Sequence, residues 1–308
     1  MVSLFDGEKM LVKELKSGPA VGLGEVLFDV VDHHAILGGA PCNFAAHCTQ
    51  VGLDAYAVAA VGNDDLGDEA LRLLGNMGAA IVRCGYKTGT VEASIDGEGK
   101  AHYVFDEDCA FDHLQLTQKH KKLAGMCSLL CFGTLCQRAE QSRNSIREFL
   151  SLAKDALRIF DVNLRGNYYS KELLLSSFPF CDVVKLSEDE LPFLCETAGC
   201  ELSAKALYDF LVRKFGITGL IYTAGSLGSD IYWGEEHSSY PAHQIKIADT
   251  IGAGDSFTAA FAAALVSGRS VSCAHAIASR VAAYVCTCRG AVPQWTPELK
   301  ALFADVTY

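Results

Sequence analysis

The 308-residue chain contains no Gly-x-x-x-x-Gly-Lys-Ser/Thr, so a P-loop cradle for a nucleoside triphosphate is excluded. A Gly-x-Ser-x-Gly nucleophile elbow is missing too, although Gly225-Ser226-Leu227-Gly228 comes close. Gly22-x-Gly24 invites a dinucleotide fingerprint, but the third glycine would fall at Leu27. No Lys/Arg run exceeds three residues, the densest group being Lys119, Lys121 and Lys122, and the net charge is −11. That balance argues against a nucleic-acid partner and still allows a local basic pocket for a phosphate. No apolar run reaches the length of a membrane span, and the N-terminus lacks a signal-peptide core. The expectation is a cytoplasmic protein with no membrane partner. The 13 cysteines include no Cys-x-x-Cys, and neither Cys286/Cys288 nor Cys127/Cys131/Cys136 has a histidine at metal spacing. They read as small buried hydrophobes in a reducing compartment.

Half of the residues are hydrophobic, ample for one large core. Short apolar runs alternate with helical patterns, which predicts an α/β fold with a mostly parallel sheet. The expected strands are Ala20–Gly24, Ala55–Val61, Ser128–Phe132, Arg158–Val162, Asp182–Lys185 and Gly219–Thr223. Helical stretches include Asp65–Met77, Ser142–Lys154 and Ser203–Phe215. Val26–Leu37 and Lys87–Phe105 break the rhythm. Both read as extended, the second with a turn at Asp96-Gly97-Glu98-Gly99, and together they predict a small antiparallel sheet projecting from the main body. A single domain over 20–304 is expected, with 1–19 as an extension of undefined role.

The most informative segment is Asp249-Thr250-Ile251-Gly252-Ala253-Gly254-Asp255-Ser256-Phe257, a glycine-flanked turn running into an alanine-rich helix. Gly252 and Gly254 let the backbone approach a ligand. The N–H groups of Gly252, Ala253 and Gly254, at the positive end of the helix dipole, suit a phosphate or a developing negative charge. Asp255 falls in the first helical turn, where a carboxylate can take a proton from an attacking hydroxyl. The same residues also fit a plain helix start capped by an aspartate. With no P-loop in the chain, phosphoryl transfer from a helix-start anion hole is the chemistry that remains.

Gly38-Gly39-Ala40-Pro41-Cys42-Asn43-Phe44-Ala45 near one end and the 249–257 run near the other resemble the paired signatures of the ribokinase-like (PfkB-type) sugar kinases. The resemblance extends from about Ala20 to about Thr296. Asp161-Val162-Asn163-Leu164-Arg165 makes it closest to fructokinases. It implies a ribokinase-like sheet flanked by helices, with Val26–Leu37 and Lys87–Phe105 as a β lid over the sugar. It also implies transfer of the ATP γ-phosphoryl to a primary hydroxyl, with Mg2+ and a K+-type monovalent cation as helpers. Another polyol or a nucleoside as acceptor, and a non-catalytic sugar-binding relative, are the alternatives. A homodimer paired through the lid is a further implied arrangement.

By the resemblance, Asp255 is the base and Arg165 sits near the transferred group. Asp29, Gly39 and Asn43 bind the sugar, with Phe111 and Arg138 (beside Gln137) lining the same pocket. Phe111 stands where the family often has tryptophan. Thr223, Gly225, Ser226 and Gly228 form the nucleotide-side loop. Glu190 matches the glutamate of the family's Asn-x-x-Glu and would hold Mg2+ through water, while Ser187 replaces its asparagine on the nucleotide side. Asp249, Ile251 and Gly290 form the implied monovalent-cation loops.

Overall fold

The computed structural model describes residues 17–31, 34–95 and 101–303. The chain begins with β1 (Ala20–Leu23) and a hairpin of β2 (Leu27–Val31) and β3 (His34–Gly38). The helix Ala40–Gln50 returns to β4 (Ala55–Val58), which β5 (Ala60–Gly62) follows almost directly. After the helix Asp65–Leu74 come β6 (Val82–Cys84) and a second hairpin, β7 (Gly89–Ile95) and β8 (Ala101–Phe105). Helical crossovers then separate β9 (Leu129–Phe132), β10 (Leu157–Asp161), β11 (Val183–Ser187) and β12 (Gly219–Thr223). A meander of β13 (Ser229–Trp233) and β14 (Glu236–Tyr240) precedes two long helices, Ala253–Val266 and Val271–Cys286.

Eight strands form the main sheet in the order β14-β13-β12-β11-β10-β9-β1-β4. Every neighbouring pair from β4 to β12 is parallel, and the β12–β13 and β13–β14 pairs are antiparallel. Its central strands are buried on both faces, so they read as continuous apolar runs rather than alternating ones. Chain order reverses between β1 and β9, and ligands of such sheets gather outside the carboxyl ends of the strands near that reversal.

The four-stranded second sheet, β3-β2-β7-β8, consists of two antiparallel hairpins joined by a parallel β2–β7 pair. The parallel junction departs from a wholly antiparallel lid. It arises because β2 and β7 both leave the main body in the same direction, after β1 and after β6. The run expected as one strand, Ala55–Val61, divides at Ala59: β4 pairs with β1, and β5 with β6 in a separate two-stranded sheet. All its residues but Tyr56 are buried, so hydrophobicity alone carried no mark of the bend. The turn Asp96–Gly99 and residues 1–16 lie outside the described residues.

The helix Ala253–Val266 is the pivot of the fold. Every residue from Ser256 to Leu265 is buried, as befits a helix apolar all round. Its alanines permit close packing against the helices Ala40–Gln50 and Val271–Cys286. Ser256 and Thr258 donate their hydroxyls to carbonyls of their own helix, at Ala253 and Gly254 (both 2.9 Å), so neither leaves a buried polar group unpaired. Among the described residues no helix is long and apolar enough to cross a membrane.

Candidate active site

The helix starting at Ala253 is entered through Gly252, whose φ of +77° belongs to the left-handed region. A side chain there would place its Cβ 2.1 Å from the Ala291 carbonyl oxygen, so only glycine fits. The Ala253 N–H turns back to the Thr250 carbonyl at 3.3 Å. Those of Gly252, Gly254 and Asp255 donate to no acceptor among the described residues. The N–H groups left free at this helix start are therefore those of Gly252, Gly254 and Asp255, where the sequence pointed to Gly252, Ala253 and Gly254.

Asp255 is partly buried within this first turn, and loss of solvent around its carboxyl pushes it above the usual aspartate value. Three neighbours oppose that rise: the hydrogen bond from Asn43, and the charges of Lys185 and Arg165. Asn43 Nδ2 donates to Asp255 Oδ2 at 2.8 Å across 212 residues of sequence. The two signature segments thus meet at Asp255. Gly39, one residue before the helix Ala40–Gln50, supplies its N-cap.

Asp29 lies half-buried on β2, its Oδ2 close against Gly38. Burial raises its carboxyl, and the charge of Arg165 acts against that rise. Arg165 is exposed in the loop after β10, where Asn163 (φ +41°) is held in the left-handed region. A non-glycine residue there is uncommon, and such strain clusters at sites of function. Glu190 braces this loop: its Oε1 accepts the Leu164 N–H and its Oε2 the Ser187 N–H, both at 2.7 Å.

On the other side, Thr223 ends β12 opposite Ser187 on β11, and its hydroxyl turns to the Leu186 carbonyl. The turn Gly225–Leu227 and Gly228 follow, with Ser226 exposed. The structure brings Asp249, Ile251 and Gly290 together: Asp249 accepts the Ile251 N–H at 3.0 Å and the Gly290 N–H at 3.1 Å. No cluster of three or more His, Cys, Asp or Glu suited to a metal occurs among the described residues.

Phe111 and Arg138 behave differently from a simple pocket lining. Phe111 is only 1% exposed, so in this conformation it backs the wall instead of facing a ligand. Arg138 is gripped in a bidentate pair with Asp112 (2.7 and 2.8 Å) and sandwiched between the Phe111 and Tyr168 rings. Tyr168 also meets Phe105 of β8 edge-on, which ties the lid to the loop bearing Arg165. Thr88 and Thr90, at the lid's root, spend their hydroxyls on Asp64 and Asp106 (both 2.6 Å). They anchor the lid.

Sequence reasoning missed two buried charges. Glu25, just beyond β1, is 2% exposed and its Oε2 has no hydrogen-bond partner. Lys185 within β11 is 6% exposed. A lone lysine inside the apolar run Val183–Ser187, and a glutamate between two apolar strands, were the available signals.

An α/β sheet carrying a partly buried carboxylate at an open helix start, capped by a β lid, defines a phosphotransferase-like architecture. Residues 19–298 match the model of the pfkB family of carbohydrate kinases, and the chain belongs to that family. Fructokinase-1 of Oryza sativa subsp. japonica is 25% identical over 321 residues, which cover 93% of this chain and 97% of the relative. A fructokinase with bound ATP from Xylella fastidiosa superposes with a TM-score of 0.78 at 22% identity, covering 94% of this chain and 99% of the other. For 2-dehydro-3-deoxygluconokinase from Thermotoga maritima the TM-score is 0.76 at 21% identity, with coverage of 94% and 99%. The protein is a phosphotransferase with an alcohol group as acceptor, a carbohydrate kinase most like fructokinases.

Proposed function

We propose that the chain transfers the γ-phosphoryl of ATP to the 6-hydroxyl of fructose, giving fructose 6-phosphate and ADP. The observation carrying this reading is the Asn43–Asp255 contact beneath the open helix start, which sets a base beside an anion hole. Asp255 accepts the hydroxyl proton, the sugar oxygen bonds to the γ-phosphorus, and the bridging P–O bond breaks to release ADP. A carboxylate suffices because proton transfer comes late in a loose transition state. Desolvation raises its basicity toward that of an effective general base. The free N–H groups of Gly254 and Asp255, with Arg165, receive charge building on the phosphoryl oxygens.

Asp29, Gly39 and Asn43 hold the sugar, and Arg138 with Phe111 supports that wall from behind. The loop of Thr223, Gly225, Ser226 and Gly228, with Ser187, receives the nucleotide. Glu190 suits a Mg2+-bound water: each oxygen has accepted one N–H and retains a lone pair. Such a metal would neutralise phosphate charge. Asp249, by holding the Ile251 and Gly290 N–H groups, ties together the two segments that would carry a K+-type cation. The similarity to fructokinases over most of both chains supports the acceptor named.

ADP release from purified protein, measured against a panel of fructose, ribose, 2-keto-3-deoxygluconate and nucleosides, tests the reading. Fructose should give the highest kcat/KM. A clear preference for another polyol would reject the substrate and keep the chemistry; silence on every acceptor would reject both.

A further inference from the structure

The main sheet delivers one cation to the catalytic helix from below. Lys185 Nζ donates to Asp161 Oδ1 at 3.1 Å, and the two side chains are 8% and 4% exposed. A Cβ built on Gly254 would lie 2.8 Å from that same Nζ. The ammonium therefore rests against the first turn of the helix, directly below the residue preceding Asp255. Strand adjacency produces this placement, since Asp161 and Lys185 are register partners on β10 and β11.

The charged and titratable groups acting at this spot come from every side. The helix Ala40–Gln50 contributes Asn43 to Asp255, with the Cys42 thiol nearby. Glu25 approaches from the end of β1, Cys131 from β9, Asp161 from β10 and Arg165 from the loop after it. Glu190 adds its negative charge around Lys185. Carboxylates thus outnumber cations. Among the described residues Lys185 and Arg165 oppose them, and Arg165 is exposed, where water and salt screen its field. Lys185, out of solvent, is not screened in that way.

Resting on the reading of Asp255 as the base, we propose that Lys185 is a positioning residue, seated by Asp161, whose buried ammonium is the counter-charge that keeps Asp255 a carboxylate ready to accept a proton. It acts through Asp255 and has no assigned contact with either substrate. Gly254 belongs to the same device, because a larger residue would push the ammonium away from the helix start.

The test compares Lys185→Met with Lys185→Met/Asp161→Asn, the second chosen because an unpaired buried aspartate can itself prevent folding. The acid limb of the kcat/KM profile should move upward by about one pH unit or more, the scale expected when a close opposite charge is lost. The Asp255 carboxyl 13C resonance, assigned by its absence in Asp255→Asn, should titrate higher by the same amount in the unliganded variant. Turnover should recover as the pH is raised. An unmoved acid limb and resonance overturn the proposal, whether the variant merely melts earlier or binds ATP more weakly. If wild-type protein shows no turnover, or Asp255→Asn retains it, the reading of Asp255 as base falls, and the resonance still reports on Lys185.

Discussion

Replacing Glu25 with glutamine should stabilise the protein in mild alkali and change it little in acid. Glu25 is wholly enclosed after β1, and desolvation drives its carboxyl from the ordinary 4.5 up to about 7. Negative charge on Asp255 adds to the rise, while N–H donors of Glu25 and Ala40 and the charge of Arg165 oppose it. The folded state therefore binds this proton more tightly than the unfolded chain. Its stabilising contribution is complete below about 4.5 and is lost as the pH climbs through about 7. That gap corresponds to about 3 kcal/mol. Glutamine keeps the shape and an acceptor for the two N–H groups while carrying no charge to bury. Urea unfolding of both proteins at pH 5 and pH 8 should show the variant's advantage growing by roughly 2–3 kcal/mol between them. An advantage equal at both pH values, or a loss at pH 8, would refute the argument that Glu25 ionises in a desolvated site.

Asp255→Asn should lower turnover by at least about a hundredfold and leave sugar affinity nearly intact in calorimetry, because the amide keeps the helix start and loses the base; wild-type turnover would reduce Asp255 to a cap. Acid should destabilise the protein through His47, whose Nε2 donates to the Ala291 carbonyl at 3.0 Å while Nδ1 accepts the Trp295 indole N–H at 3.1 Å. Burial pushes this imidazole from 6.5 down to about 4, so its contribution, about 3 kcal/mol, is present above 6.5 and lost as the pH falls toward 4. Acid unfolding followed by tryptophan fluorescence should become shallower in His47→Gln, and an unchanged slope would contradict the assignment. Hydrogen exchange in the β2–β3 and β7–β8 hairpins should slow on adding fructose while β4 stays constant, as expected of a lid that excludes water. Exchange that follows protein concentration and ignores sugar would instead mark the lid as a dimer contact.

Much of this architecture was legible in the linear chain because it is encoded locally. Apolar runs of strand length, the helical period of Ser203–Phe215, and the glycines around Ala253 each report a backbone state that needs no distant partner. The two signature segments likewise announced themselves, since glycine and a small polar residue at fixed spacing mark a close backbone approach. Ala55–Val61 reads as one strand in the linear chain because periodicity registers burial and is blind to which sheet does the burying.

What tertiary structure alone decided is where charges stand relative to one another. Asn43 meets Asp255, and Lys185 slides beneath Gly254, only because crossovers bring chain-distant segments to one sheet edge. Phe111 and Arg138 belong to the expected region, yet their mutual stacking and the grip of Asp112 turn them inward. A lysine in a sequence is a solvated charge by default, and the environment that makes it something else is assembled from other strands. Coulomb energies depend on separation and on the surrounding dielectric, and neither quantity exists until the chain has folded.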